Sequence, residues 1–268
     1  MIDSLPLPSM ALEDFDGIPI WTDAALFAAC GVRIAFSGRR GGVSAAPYDT
    51  LNLGGRVNDD MQSVKRNRAR LMEALGGSQC ALVVPVQVHG TDILFASAAD
   101  PGEAERQDCI EADAVVVAQG GLGAQLSFAD CLPLIIVAPS GAFAVAHAGW
   151  RGALAGIAGK AASALEQVAG CDARSFNAYI GPHIHSECFE TGADVAESFA
   201  SAYGAEVLRD SRHVDLSRAV GVDLERAGMQ ARRIADCGVC TVCCSDGYFS
   251  YRASGGVCGR NGALAFRV

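Results

Sequence analysis

The sequence predicts a mixed α and β fold in a single domain, and three observations carry that prediction. Short apolar runs bounded by Gly, Pro or Asp recur along the chain. Stretches with apolar residues three and four apart lie between them. No repeat, low-complexity tract or Pro/Ser-rich linker divides the 268 residues, so one compact domain is expected over residues 31–268, with residues 1–30 as an appendage.

The first strand is expected at Arg33–Phe36 and the first helix at Met61–Leu75. Strands follow at Ala81–Val88 and Asp113–Ala118, then at Leu134–Ala138 and Ala142–His147; several are apolar on both faces, the pattern of a strand buried on both sides. A helix over Arg151–Val168, a strand at Phe176–Ile180 and helices over Thr191–Tyr203 and Ala219–Ile234 complete the reading.

Half of the residues are apolar and 19% are charged, which excludes disorder, a coiled coil and a collagen-like fibre. The formal charge of −9 disfavours bulk attraction to nucleic acid or an anionic membrane, so any phosphate contact has to be local. No apolar run approaches the roughly 20 residues that span a bilayer, and the stretch from Met1 to Ala11 lacks the basic start and apolar run of a secretion signal. Eleven cysteines, an odd number, then read as reduced thiols or metal ligands in a cytoplasmic protein.

Several segments carry chemistry. Phe36-Ser37-Gly38-Arg39-Arg40-Gly41-Gly42-Val43-Ser44 places two arginines and a glycine pair after a predicted strand, where backbone N–H groups and a guanidinium fork suit an anion; the alternative is a solvated basic turn. Gln87-Val88-His89-Gly90 puts a histidine at a strand end. Cys131 begins one strand, in Asp130-Cys131-Leu132-Pro133, and His147 ends the next. Two imidazoles and a thiolate are a ligand set of catalytic zinc, which leaves a fourth position for water; Asp130, Gln87 or a carbonyl would orient the ligands. The alternative is two cleft histidines and a buried thiol.

Trp150-Arg151-Gly152 opens the helix predicted to end at Val168, and free N–H groups beside Arg151 suit a phosphate. Arginine at a helix start opposes the dipole unless an anion is near. His183 and His185 are expected in a loop. Cys237-x2-Cys240-x2-Cys243-Cys244, with Cys258 as a distal partner, offers a rival signal in the spacing of iron–sulfur ligands.

Taken together, FSGRRGGVS, PYDTLNLG, Asn67-Arg68, QVHG, EADAVV, ADCLPL, AHAGWRG, IGPHI and FSYRASGGVCGR, in this order from about Ile34 to Val268, resemble the purine nucleoside phosphorylase family of laccase-domain or polyphenol oxidase proteins, which includes the peptidoglycan editing factor. The resemblance implies an α+β fold of mixed β-sheets covered by helices, and a zinc site at His89, Cys131 and His147. It implies phosphorolysis of adenosine, inosine, guanosine and methylthioadenosine, with adenosine deamination as a second reaction. Purine nucleosides and phosphate would be the partners, with Arg39 and Arg151 expected to hold phosphate or sugar and Asn52 and Asp130 to give polar support. Gly38 and Cys258 stand where family members usually have threonine, while Cys237 and Cys244 are additional.

Two other readings compete. Five histidines are too few for a multicopper laccase, although two histidines and a cysteine also suit a single copper in a redox protein. The same zinc ligands would equally serve an amidohydrolase that edits peptidoglycan precursors.

Overall fold

The computed structural model describes residues 4–97 and 109–267; the first three residues of the expected appendage and Val268 lie outside them. Among the described residues the strands are β1 (Ala11–Phe15), β2 (Ile18–Thr22), β3 (Val32–Ser37), β4 (Ala81–Val83), β5 (Ile93–Ala96), β6 (Ala114–Val117), β7 (Leu122–Phe128), β8 (Leu132–Val137), β9 (Phe143–Ala148), β10 (Asn177–Ile180), β11 (Ile234–Asp236) and β12 (Asn261–Arg267). The α-helices are α1 (Ala24–Cys30), α2 (Met61–Ala74), α3 (Trp150–Leu154), α4 (Ile157–Ala169), α5 (Ala193–Tyr203) and α6 (Leu216–Arg226).

The strands form two six-stranded mixed sheets, ordered β1-β2-β3-β12-β7-β4 and β11-β10-β8-β9-β6-β5. Within each sheet most pairs are antiparallel; β4 runs parallel to β7, β5 to β6 and β10 to β11. Side chains alternate across a strand. In β8, Ile135 and Val137 therefore join Phe36, Phe128, Phe143 and Tyr179 between the sheets, while Leu134 and Ile136 face α4, α5 and α6 on the outer side. Leu71, Met72 and Leu75, from α2 and the residue after it, cover the far face of the first sheet, where Ile18 and Ile20 of β2 lie in the same cluster. The architecture is thus a helix-covered pair of mixed sheets in one domain.

Local chemistry sets the element ends. Asp60 caps α2 by accepting from the Gln62 and Ser63 N–H groups. The continuous helix expected over 151–168 is two helices, because Gly156 adopts φ 78° between α3 and α4 and the Asp223 carboxylate accepts from Gly159 N at 2.8 Å. The helix expected over 219–234 begins earlier, with Asp215 as its N-cap, and ends at Arg226 before Gly228 at φ 96°. The strand expected over 81–88 ends at Val83, after which the chain turns towards the site. Within residues 1–30, β1 and β2 form a hairpin that extends the first sheet through β3, and Ile18 and Ile20 are fully buried.

Candidate metal centre at the crossover between sheets

The chain passes from β7 in the first sheet to β8 in the second through Ala129-Asp130-Cys131. Pro133 faces His147 in the β8–β9 register, so Cys131, two residues earlier, approaches His147 diagonally on the face that looks between the sheets. His89 comes from the loop between β4 and β5, and its ring meets that of His147 edge-on at 4.7 Å between centroids. The ligating atoms of His89, Cys131 and His147 all lie within 4.8 Å of one another, with Cys131 Sγ 3.9 Å from His89 Nε2.

A buried carboxylate organises this cluster. Asp113 is fully buried at the head of β6; its Oδ1 accepts from His89 N at 3.0 Å and from His147 Nδ1 at 2.8 Å, and its Oδ2 accepts from Val88 N at 3.1 Å and Gly90 N at 2.6 Å. The bond to His147 Nδ1 fixes the tautomer and leaves Nε2 free to coordinate. Three successive N–H groups turned onto one carboxylate hold the loop in its tight conformation, in which His89 has φ 62°. Burial opposes ionisation of Asp113, but the His147 hydrogen bond and the backbone donors keep its carboxyl below the ordinary value.

The same reversal governs the ligands. Burial disfavours the Cys131 thiolate, yet the charge and hydrogen bond of His147, aided by His89, bring the thiol down to about 6. Burial disfavours the His147 imidazolium, yet Cys131 and Asp113 bring it up to about 9. Without a metal these opposing shifts favour the thiolate of Cys131 and the imidazolium of His147.

Gly149 supplies a geometric test of fit. A Cβ at this position would stand 2.9 Å from His89 Cδ2, 3.3 Å from Cys131 Sγ and 3.4 Å from His147 Cε1. Only glycine leaves that space open beside the three donors. Ligands at about 2.0–2.3 Å from one tetrahedral ion stand roughly 3.3–3.8 Å apart, close to the spacing seen here. The donor set and the space both suit a metal ion.

The surrounding residues divide sharply. Asp130, at φ 79°, accepts from Thr241 Oγ1 and Arg252 N at 2.7 Å each, and so ties the C-terminal segment to the residue before Cys131. Gln87 clasps Ser127 of β7 through two bonds and reaches no ligand by hydrogen bond. Asn52 is fully buried, donating to Gly54 O and Asp59 and accepting from Gly54 N and Arg260 N, so its polar atoms are engaged within the chain. Arg39 donates to Asp49 O, Asp49 Oδ2 and Ser245 O and lies over the Phe249 ring. Arg151 is exposed, stacks on Trp150 at 4.3 Å, and has no carboxylate in ion-pair distance among the described residues. Of the two arginines, Arg151 keeps its fork open.

Asp113 escaped the sequence reading of the site. Its signal was a carboxylate heading a strand otherwise apolar on both faces, where burial demands partners. His183 is buried and bonds Gly181 O through Nδ1. The cysteine spacing of an iron–sulfur site is not assembled: Cys237, Cys244 and Cys258 stay outside the group that converges, which is Cys188, Cys240 and Cys243 with Glu187. Cys258 lies instead with Ala129 and Phe249.

A family model described as "Multi-copper polyphenol oxidoreductase laccase" matches residues 33–267. The chain is 39% identical over 237 residues to a purine nucleoside phosphorylase of Deinococcus radiodurans, covering 86% of this chain and 87% of that protein. It is 38% identical over 227 residues to purine nucleoside phosphorylase SCO2081 of Streptomyces coelicolor, covering 83% and 90%. The crystal structure of YlmD from Geobacillus stearothermophilus superposes with a TM-score of 0.86 at 29% identity, covering 97% of this chain and 99% of that one. By family model, relatives and fold, the chain belongs to the polyphenol oxidoreductase laccase-domain family, whose curated members here bear the name purine nucleoside phosphorylase.

Proposed function

We propose that this protein is a zinc-dependent purine nucleoside phosphorylase that converts adenosine, inosine, guanosine and methylthioadenosine to free base and the corresponding pentose 1-phosphate, with adenosine deamination as a second activity. The observation that carries the reading is the convergence of His89, Cys131 and His147 on one space that Gly149 keeps open, with Asp113 orienting the His147 ring and holding the backbone of His89. The names of the relatives supply the substrate class.

His89, Cys131 and His147 would hold the ion, which when bound supplies Lewis acidity to an oxygen ligand and lowers the pKa of water towards neutrality. Asp113 keeps the proton on His147 Nδ1 and so presents Nε2 as a donor. In phosphorolysis a phosphate oxygen forms a bond to C1′ as the C1′–N9 bond breaks, and the base departs with the electron pair. Arg151, with its fork free of protein carboxylates, is the residue to hold phosphate. Arg39 and Asn52 act one step back, by fixing the loops they bond. Asp130 sets the turn that presents Cys131. Eleven cysteines with no disulfide among them fit work in the cytoplasm.

The test is metal analysis of the purified protein together with chromatography of adenosine incubated with and without phosphate. Zinc bound at the site, phosphate-dependent adenine and ribose 1-phosphate, and a smaller yield of inosine are expected; Cys131→Ala abolishes both products. Copper at the site with unchanged adenosine overturns the reading in favour of redox chemistry. Zinc with unchanged adenosine points to another substrate, such as an amide of a cell-wall precursor.

A further inference from the structure

A second constellation of ligands lies away from the first, where the C-terminal segment packs against the loop after β10. Cys240 and Cys243 are spaced C-x-x-C in a tight turn closed by Cys244 N donating to Cys240 O at 3.0 Å, which turns both sulfurs to one side. Cys188 comes from another turn, in which its own N–H donates to His185 O at 3.0 Å. The two turns meet because His183 and Cys240 bridge in parallel and Thr241 N donates to His183 O, continuing the pairing of β10 with β11. Cys188 Sγ stands 3.5 Å from Cys243 Sγ, and Cys243 Sγ stands 3.9 Å from Glu187 Oε1. All four ligand atoms of Glu187, Cys188, Cys240 and Cys243 lie within 4.8 Å of one another.

From this arrangement we infer that Cys188, Cys240, Cys243 and Glu187 form a second metal site, for a thiophilic divalent ion of the zinc class, that is structural rather than catalytic. Four donors around one ion, with Zn–S near 2.3 Å, place sulfurs about 3.8 Å apart, so closure requires only small shifts. Three sulfurs with one carboxylate fill a tetrahedron, the closed coordination of structural zinc. His185 N donates to Cys240 Sγ at 3.5 Å, the kind of backbone bond that supports a metal-bound thiolate.

The ion would bind the C-terminal segment to the turn at 185–188. That segment also holds Asp130 through Thr241 and Arg252, while the Arg252 guanidinium bonds Cys188 O and Glu190 O. The second site would therefore brace the residue preceding Cys131 without touching the first. This inference is independent of the nucleoside reaction.

The experiment loads the reduced full-length chain with zinc alone and counts tightly held ions. Cys131→Ala, which removes the first site, is expected to retain one zinc per chain, and Cys131→Ala with Cys188→Ser and Cys243→Ser to retain none. Cobalt in Cys131→Ala should give the near-ultraviolet thiolate-to-metal absorption of several sulfurs. No zinc in Cys131→Ala, or an ion that survives in the triple variant, overturns the site. Alkylation of the wild-type chain, read by mass spectrometry, needs no variant to fold: zinc should protect Cys188 and Cys243 while exposed Cys244 keeps reacting. Equal reactivity of Cys243 with and without zinc also overturns it.

Discussion

The two ligand clusters are built on opposite plans. The first takes Cys131 and His147 from the ends of adjacent strands and locks His89 and His147 onto one buried carboxylate, so its geometry is imposed by the sheet. The second takes its sulfurs from two turns and its carboxylate from an accessible side chain, so its geometry is set by the loops. The electrostatics follow: opposite charges face each other in the first cluster, and like groups crowd in the second. A site pre-organised by strands suits chemistry, whereas one that loops must gather suits an ion whose binding gathers them.

The sharpest probe of that contrast is alkylation of the metal-free protein near pH 7. Cys131, with its pKa brought down to about 6, is mostly thiolate there, whereas Cys188, at about 12, is almost wholly protonated. A thiolate is less nucleophilic as its pKa falls, which recovers part of the difference, so Cys131 should react about 10²-fold faster than Cys188. Raising the pH should speed Cys188 and leave Cys131 unchanged; equal rates at pH 7 would erase the electrostatic distinction.

Asp113→Asn is expected to weaken zinc at the first site by about 10–100-fold, the usual effect of removing a carboxylate that orients a metal-binding histidine. It should leave the second site's ion in place, and competition with a chelator reads both. Arg151→Ala is expected to raise the KM for phosphate by about tenfold, the loss of one charge-assisted contact, with kcat and zinc content nearly constant. A fall in zinc content instead would make Arg151 part of the scaffold.

Much of this was legible in the residues. The strands Ala114–Val117, Leu132–Val137 and Phe143–Ala148 announced themselves because both faces are buried, and Cys131 and His147 because they flank strand ends, whereas His89 sits in a loop well past Val83 and not at the strand end expected for it. β7 and β12 were hidden by glycine and polar residues: Gln125 and Asn261 are buried through contacts made across the fold, which no local pattern records. The break at Gly156 depends on Asp223, far along the chain. Asp113 looked like a strand boundary until its four donors were in place. Cys188 gave no sign of joining Cys240 and Cys243, since that convergence is made by the β10–β11 pairing.

The position of β12 has a consequence for how the molecule is made. Among the described residues it is the last strand in sequence, yet it lies in the interior of its sheet, flanked by β3 on one side and β7 on the other. Without it, β3 and β7 each present an open edge to the same slot. Cys131, between β7 and β8, belongs to the candidate centre, so that centre is built next to a strand for which β12 is one of the two partners. Closing that slot takes pairing between segments far apart in sequence, the kind of contact that is slow to form, and the two edges stay exposed until it is made.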